Sequence, residues 1–310
     1  MNTKGFVTIA TGKDKYYEVA HNLLMSYRLF SRKPAPFAII CDRENGFTAD
    51  FDQVILFDHP THSTLDKFRA LDLTPFDETI FIDADCLAYR DLNGLWRVFS
   101  NCSDFSYLGY TYPFHMHGWV QPEGAGEFQD DIQFSLVYQG GIFFMRKNRL
   151  DAFARTCRYI LDHFDSFTFY GYPSSDPVDE PIFALASSVF GYKPARGYRD
   201  AFCYLPLCHS IEPDIRKGRL NYCYSNYPVI YPRGRFLLHW GFVDTDSEEY
   251  KRETARLAEM VSSGWRPGRF LEFYNRAADA LLTIASCPGF IVKKCLPLSI
   301  KTRIARLLLR

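Results

Sequence analysis

No part of this 310-residue chain holds the run of about 18 apolar residues that a membrane-spanning helix requires, so no segment is expected to cross a bilayer. No secretory leader is expected either. Met1-Asn-Thr-Lys-Gly5 is followed by only about five strand-forming residues, too few for the apolar region of a signal peptide. Net charge is missing too: 36 basic residues balance 36 acidic ones, which removes any global electrostatic pull on nucleic acid. The nine cysteines, at 41, 86, 102, 157, 203, 208, 223, 287 and 295, form no Cys-x-x-Cys pair. This predicts reduced thiols and a cytoplasmic location. Cys203, Cys208 and His209 come nearest to a zinc corner, but no second pair completes it. There are no internal repeats and no low-complexity tracts.

What the chain does have is aromatic weight, 17% Phe, Trp and Tyr within 47% hydrophobic residues, and length enough for a large α/β core. Its most informative stretch is Thr79-Ile-Phe-Ile82 running into Asp83-Ala84-Asp85. Four β-formers followed by two acids read as a buried strand ending at a loop, and the carboxyl ends of such strands are where open α/β sheets bind ligands. Two neighbouring carboxylates repel, so a proton, an arginine or a hard divalent cation is needed between them.

Taken in order, residues 6–10 predict a strand stopped by the turn Thr11-Gly12-Lys13-Asp14, and 16–30 a helix with Val19, Ala20, Leu23, Leu24, Tyr27 and Phe30 on one face. Strands follow at 37–41, ending in Asp42, and at 53–57. A helix is expected over 64–73, ahead of the acid-tipped strand. This alternation predicts a doubly wound, mostly parallel sheet. The polar residues 109–131 predict a mobile substrate loop, in which His115 and His117 read more readily as ordinary loop residues than as acceptor contacts. A strand is expected over 140–145, its paired glycines allowing something to come close to the backbone. A helix over 150–164 and a Gly/Pro/Ser loop over 171–177 come next. Asp179 and Glu180 stand ahead of Pro181 at a helix start. A late apolar run, 236–241, ends in His239, and helices are expected over 248–262 and 267–286.

Several of these elements together resemble glycosyltransferase family 8, which includes glycogenin and the bacterial galactosyl- and glucosyltransferases of lipopolysaccharide synthesis. The resemblance is carried by Lys67, Asp83-Ala84-Asp85, Asp91-Leu-Asn-Gly-Leu-Trp96, Gln139-Gly-Gly-Ile-Phe-Phe144, Asp179-Glu180, and His239 with Gly241, and it covers about 240 residues in the right order. It implies a single nucleotide-diphospho-sugar transferase domain of the GT-A type over 1–245, with a C-terminal helical segment over 246–310. It also implies a metal-dependent retaining hexosyltransferase. The donor would be a UDP-sugar and the acceptor a glycan or glycolipid. Asp83, Asp85 and His239 would ligate Mn²⁺ or Mg²⁺. Ala10, Thr11, Asp14 and Tyr16 would hold the nucleoside, and Lys67, Ala84 and Gly241 would join the donor contacts. Asp179, Glu180 and Gln139 would act nearest the anomeric carbon. This sequence has Glu180 where the family usually has glutamine and Gln139 where asparagine is usual.

Three other readings are weaker on the residues. A sugar-nucleotide pyrophosphorylase needs a glycine-rich basic loop where Thr11-Gly12-Lys13-Asp14 has one glycine. A haloacid-dehalogenase-type phosphatase needs Gly-Thr after its Asp-x-Asp, and Asp85 is followed by Cys86-Leu87. A catalytically silent scaffold on the same fold remains, although intact Asp83, Asp85 and His239 argue against it. Residues 293–310 carry six basic side chains, no acid, and apolar Leu296, Leu298, Ile300, Ile304, Leu307, Leu308 and Leu309. Such a segment suits an anionic membrane surface, or a packed helix with a solvated basic face.

Overall fold

The computed structural model describes residues 3–114, 118–172, 176–195, 202–205, 208–224, 227–231, 236–241 and 244–265. His115, His117, the expected helix 267–286 and the tail 293–310 lie outside them, as do the side chains of Cys203 and His209. The elements run β1 (Lys4–Ala10), α1 (Asp14–Phe30), β2 (Phe37–Cys41), β3 (Gln53–Leu56), α2 (Arg69–Leu73), β4 (Glu78–Ile82), β5 (Cys86–Ala88), α3 (Leu95–Val98), β6 (Phe105–Tyr112), β7 (Ser135–Arg146), α4 (Asp151–Asp162), α5 (Asp179–Val189), β8 (Phe202–Tyr204), β9 (Cys208–Asp214), β10 (Arg219–Tyr224), β11 (Tyr227–Tyr231), β12 (Leu237–His239) and α6 (Glu248–Ser262). They group into two units: Met1–Leu24, Lys33–Cys86 and Asn93–Tyr198 in the first, and Met25–Arg32, Leu87–Leu92 and Arg199–Arg310 in the second.

The first unit is built on a six-stranded sheet in the order β3-β2-β1-β4-β7-β6. Three of its pairings are parallel and two, β4 with β7 and β7 with β6, are antiparallel, so the sheet is mostly parallel as the alternation predicts. Parallel strands covered on both faces should be continuously apolar, and β2, Phe37-Ala-Ile-Ile-Cys41, is fully buried along its length. Val19, Ala20, Leu23 and Leu24 line the buried face of α1. Phe153, Ala154, Cys157 and Ile160 do the same for α4. Because the order runs 3-2-1 and then 4, the strand order reverses between the parallel neighbours β1 and β4. The carboxyl ends of those two strands, Ala10 and Ile82, open on the crevice where such sheets bind ligands.

Three expectations needed correction. Residues 64–73 are not one helix but a 3-10 turn, Thr64–Phe68, that passes into the short α2. The buried Asp66 carboxylate in that turn is committed to chain outside it, which stops a single regular ladder from forming. The strand expected at 140–145 extends over 135–146 and runs antiparallel to β4. The loop expected over 109–131 gives up its start to β6, and short 3-10 turns occupy 122–124 and 126–128.

The second unit holds an antiparallel sheet, β11-β10-β9, and a small sheet in the order β5-β12-β8. Its buried residues include Ile215, Leu220, Leu237, Leu238, Trp240, Leu257 and Met260. A fully buried Glu253 on α6 accepts from the Ile215 N–H at 2.7 Å and from the Tyr89 hydroxyl at 3.3 Å. Helix α6 matches its expected bounds and starts at a Ser247 cap, whose hydroxyl accepts from the Tyr250 N–H at 3.2 Å.

Candidate active site

At the end of β1, Ala10 and Thr11 are buried, and Thr11 Oγ1 donates to Asp66 Oδ2 at 2.9 Å. The same carboxylate accepts from the Thr61 N–H at 2.7 Å, the Thr61 hydroxyl at 2.8 Å and the His62 N–H at 3.0 Å, tying the 61–62 segment to β1. Gly12 follows with φ of 81°, a left-handed conformation that glycine adopts without strain. Its N–H donates to Asp42 Oδ1 at 3.2 Å, and Asp42 also accepts from the Tyr17 hydroxyl. Burial works against ionising Asp42, but the Tyr17 and Gly12 hydrogen bonds outweigh it and hold its pKa low. Asp14 opens α1 and pairs with Arg43 at 2.6 Å, and Tyr16, two residues along, is partly buried. The expected nucleoside contacts Ala10, Thr11, Asp14 and Tyr16 thus line the start of α1.

At the end of β4, Asp83, Ala84 and Asp85 are all buried, and the Asp83 N–H donates to the Gly141 carbonyl at 2.9 Å. Lys67 Nζ reaches Asp83 Oδ2 at 3.0 Å and Asp179 Oδ2 at 3.1 Å. The Lys67, Asp83 and Asp179 side chains are 11%, 12% and 4% exposed, so this charge cluster sits largely out of water. Burial alone would lower the pKa of the ammonium. The Asp179 and Asp83 charges outweigh that and raise it well above the ordinary lysine value.

Glu180, beside Asp179 in the first turn of α5, turns elsewhere. Its Oε1 accepts from the Gly140 N–H at 3.0 Å, and its Oε2 accepts from the Tyr172 hydroxyl at 3.5 Å. Burial, then the Asp179 charge, pushes its pKa up to about 7, although the Gly140 N–H and Lys67 pull the other way. Carboxyls raised to the working pH mark sites of chemistry more often than ordinary surface acids do.

Gly140 makes this approach possible. A Cβ there would stand 2.7 Å from Asp179 Oδ2 and 3.1 Å from Glu180 Cγ. The β6–β7 register jumps from Tyr107↔Phe143 to Leu108↔Gln139, so residues 140–142 bulge without partners on β6 beside the acid-tipped strand. Bulges of this kind re-aim chain near functional sites. Gln139 lies half-buried immediately before the bulge.

Phe183 anchors the arrangement from below. It lies one helical turn after Asp179 and Glu180, and its ring meets Phe68 at 4.7 Å, Tyr138 and Phe143 at 5.4 Å and Phe105 at 5.5 Å. Since Phe68 directly follows Lys67, one aromatic cluster fixes both the ammonium and the two acids.

The structure brings together Lys67, Asp83, Asp179, Glu180 and Gly140. In the second unit, His239 ends β12, is buried, and has its ring 4.9 Å from that of Tyr204. Gly241 follows Trp240, and its carbonyl accepts from the Asp244 N–H at 3.0 Å. Sequence reading missed Asp42, Asp66, Tyr138 and Tyr172. Asp42 follows a buried strand just as Asp83 does, so the same signal could have found it. Tyr138 offered no signal: it is one aromatic in a β-strand, yet its buried hydroxyl makes no hydrogen bond to any described residue and stands in the field of Asp179, Glu180 and Asp83.

No family profile matches the chain. No curated protein matches its sequence either. Among solved structures, an active-site mutant of LgtC is 12% identical, with a TM-score of 0.48, covering 84% of this chain and 95% of the other. The galactosyltransferase LgtC in complex with donor and acceptor sugar analogues is 11% identical, with a TM-score of 0.47 and the same coverage. The bifunctional glycosyltransferase WbbM is 11% identical, with a TM-score of 0.45, and the match spans 77% of this chain but 46% of that one. Likenesses of this size carry no argument about activity, and the functional reading rests on the residues of the site.

Proposed function

We propose that this chain is a retaining glycosyltransferase that moves a hexose from a UDP-sugar to a glycan or glycolipid acceptor with the help of Mn²⁺ or Mg²⁺. The observation that supports it most is the buried cluster of Lys67, Asp83, Asp179 and Glu180 at the switch point of the sheet. The reading takes Asp83, Asp85 and His239 as metal ligands. Two carboxylates and an imidazole, all buried, are a donor set that fits Mn²⁺, with Mg²⁺ the harder alternative. An ion held there would act as a Lewis acid on the diphosphate leaving group.

The chain's own groups would do the rest. Ala10, Thr11, Asp14 and Tyr16 would take the nucleoside, and the Ala84 and Gly241 backbones would line the diphosphate. Lys67, fully charged in its acidic surroundings, would hold phosphate oxygens. Glu180 keeps one carboxylate oxygen on the Gly140 N–H, which orients the other towards positive charge developing at the anomeric carbon. Asp179 would keep Lys67 in place, and the Gln139 amide would hydrogen-bond sugar hydroxyls. The tail 293–310 would rest on an anionic membrane surface.

The test is a thermal-shift titration with UDP, GDP and CDP, each with and without Mn²⁺, on wild type and Asp85→Asn. UDP at 100 times its dissociation constant is expected to stabilise the wild type by about 2.7 kcal/mol, only with Mn²⁺ and not in the variant. No shift with any nucleotide would overturn the reading and leave a silent scaffold.

A further inference from the structure

We propose that Trp119 and Tyr172 form the acceptor platform of this site, stacking on the C–H face of a pyranose ring and turning its hydroxyl edge towards Glu180. This rests on the donor reading above and adds to it the residues that select the acceptor. The two rings meet edge to face, centroids 4.8 Å apart at 79°. Both are only partly buried, whereas Phe105, Phe143 and Phe183 of the anchoring cluster are completely enclosed.

The platform is built into the fold at several points. The Trp119 N–H donates to the Leu136 carbonyl on β7 at 2.9 Å, and its carbonyl accepts from the Tyr170 N–H at 2.9 Å. The Thr168 N–H donates to the Gly124 carbonyl at 2.9 Å, so the segments around 119–124 and 168–172 are laced together. A Cβ on Gly124 would stand 2.5 Å from the Thr168 carbonyl oxygen, a measure of how closely they pack.

Its chemistry is amphipathic in the way a sugar is. A pyranose has an apolar C–H face and a rim of hydroxyls. Partly exposed aromatic rings match the first, and a carboxylate within hydrogen-bond reach matches the second. The Tyr172 hydroxyl lies 3.5 Å from Glu180 Oε2, the oxygen that Gly140 does not hold. The two neighbouring acids of α5 therefore lead to different chemistries: Asp179 to a cation suited to phosphate, and Glu180 to an aromatic surface suited to a sugar. A nucleobase could also stack on such rings, but its proposed contacts lie at the end of β1, whereas this pair is joined to the site through Glu180.

The experiment uses the full chain, labelled, on a glycan array with UDP and Mn²⁺ present, as wild type, Trp119→Ala, Trp119→Phe and Tyr172→Ala. Wild type should retain a set of hexose-terminated glycans. Trp119→Ala and Tyr172→Ala should bind them roughly tenfold more weakly or worse, while Trp119→Phe keeps most of the binding. The UDP-dependent thermal shift should be unchanged in all four, which also reports that the variants are folded. Equal glycan binding by wild type and both alanine variants would overturn the proposal. So would a wild type that is stabilised by UDP with Mn²⁺ yet binds no glycan. Loss of the UDP shift in wild type would instead overturn the donor reading itself.

Discussion

Lys67 and Asp179, 112 positions apart in the chain, meet at 3.1 Å in a place almost closed to water. The ammonium answers the Asp83 carboxylate as well, so one cation balances two buried anions drawn from β4 and α5. Lys67→Met should strip both of this counter-charge and lower the unfolding free energy by about 3–5 kcal/mol, read by urea denaturation. It should also remove the UDP-dependent thermal shift. A variant within about 1 kcal/mol of wild type would mean that the ammonium does not hold the cluster together.

Gly140 makes a sharper steric test. Alanine there would set its methyl carbon 2.7 Å from Asp179 Oδ2, against a helix end held by the Phe183 cluster. The expected cost is about 1–3 kcal/mol of stability, with the proposed glycosyl transfer falling much further because Glu180 loses its Gly140 contact. Equal activity in Gly140→Ala and wild type would argue that the Glu180 position is unimportant.

The raised pKa of Glu180, about 7, has a pH signature. Between the unfolded value near 4.5 and the folded value near 7, the folded state binds more protons than the unfolded one, so stability falls as pH rises through that window. The loss attributable to this group is on the order of 3 kcal/mol. Glu180→Gln should flatten the fall, making the variant relatively more stable at pH 8 than at pH 5 in metal-free chemical denaturation. Parallel curves for the two proteins would remove Glu180 as the titrating group.

Deleting residues 293–310 removes six basic side chains and every apolar position of the tail. The truncated protein should no longer sediment with phosphatidylserine vesicles while keeping its UDP-dependent thermal shift. Unchanged sedimentation would assign the tail to packing rather than to a membrane.

Much of the first unit was legible in the sequence because its elements are local. β2 and β4 announce themselves as apolar runs, and α1 and α4 by their periodicity; in the second unit, α6 was legible at its bounds. The acids at the end of β4 were legible for the same reason, since a carboxylate closing a buried strand has few structural uses. The broken helix at 64–68 was not legible, because Asp66 serves Thr11 and Thr61 rather than its own turn. Nor was the end of β6, whose Gly109-Tyr-Thr-Tyr112 run reads as loop until β7 supplies its hydrogen bonds.

The sequence by itself determined which strands are apolar and which of them end in acids, because periodicity and residue chemistry act over a few neighbours. Only the tertiary structure decided which charges share a site. It took the β7 bulge, the missing Cβ of Gly140 and the Phe183 cluster to bring α5 up to β4. That packing gave Lys67 two carboxylates, left Glu180 protonatable near neutrality, and joined Tyr172 and Trp119 to the same centre. The Lys67–Asp179 contact spans 112 positions and the Gly140–Glu180 contact 40, and nothing in local sequence specifies them.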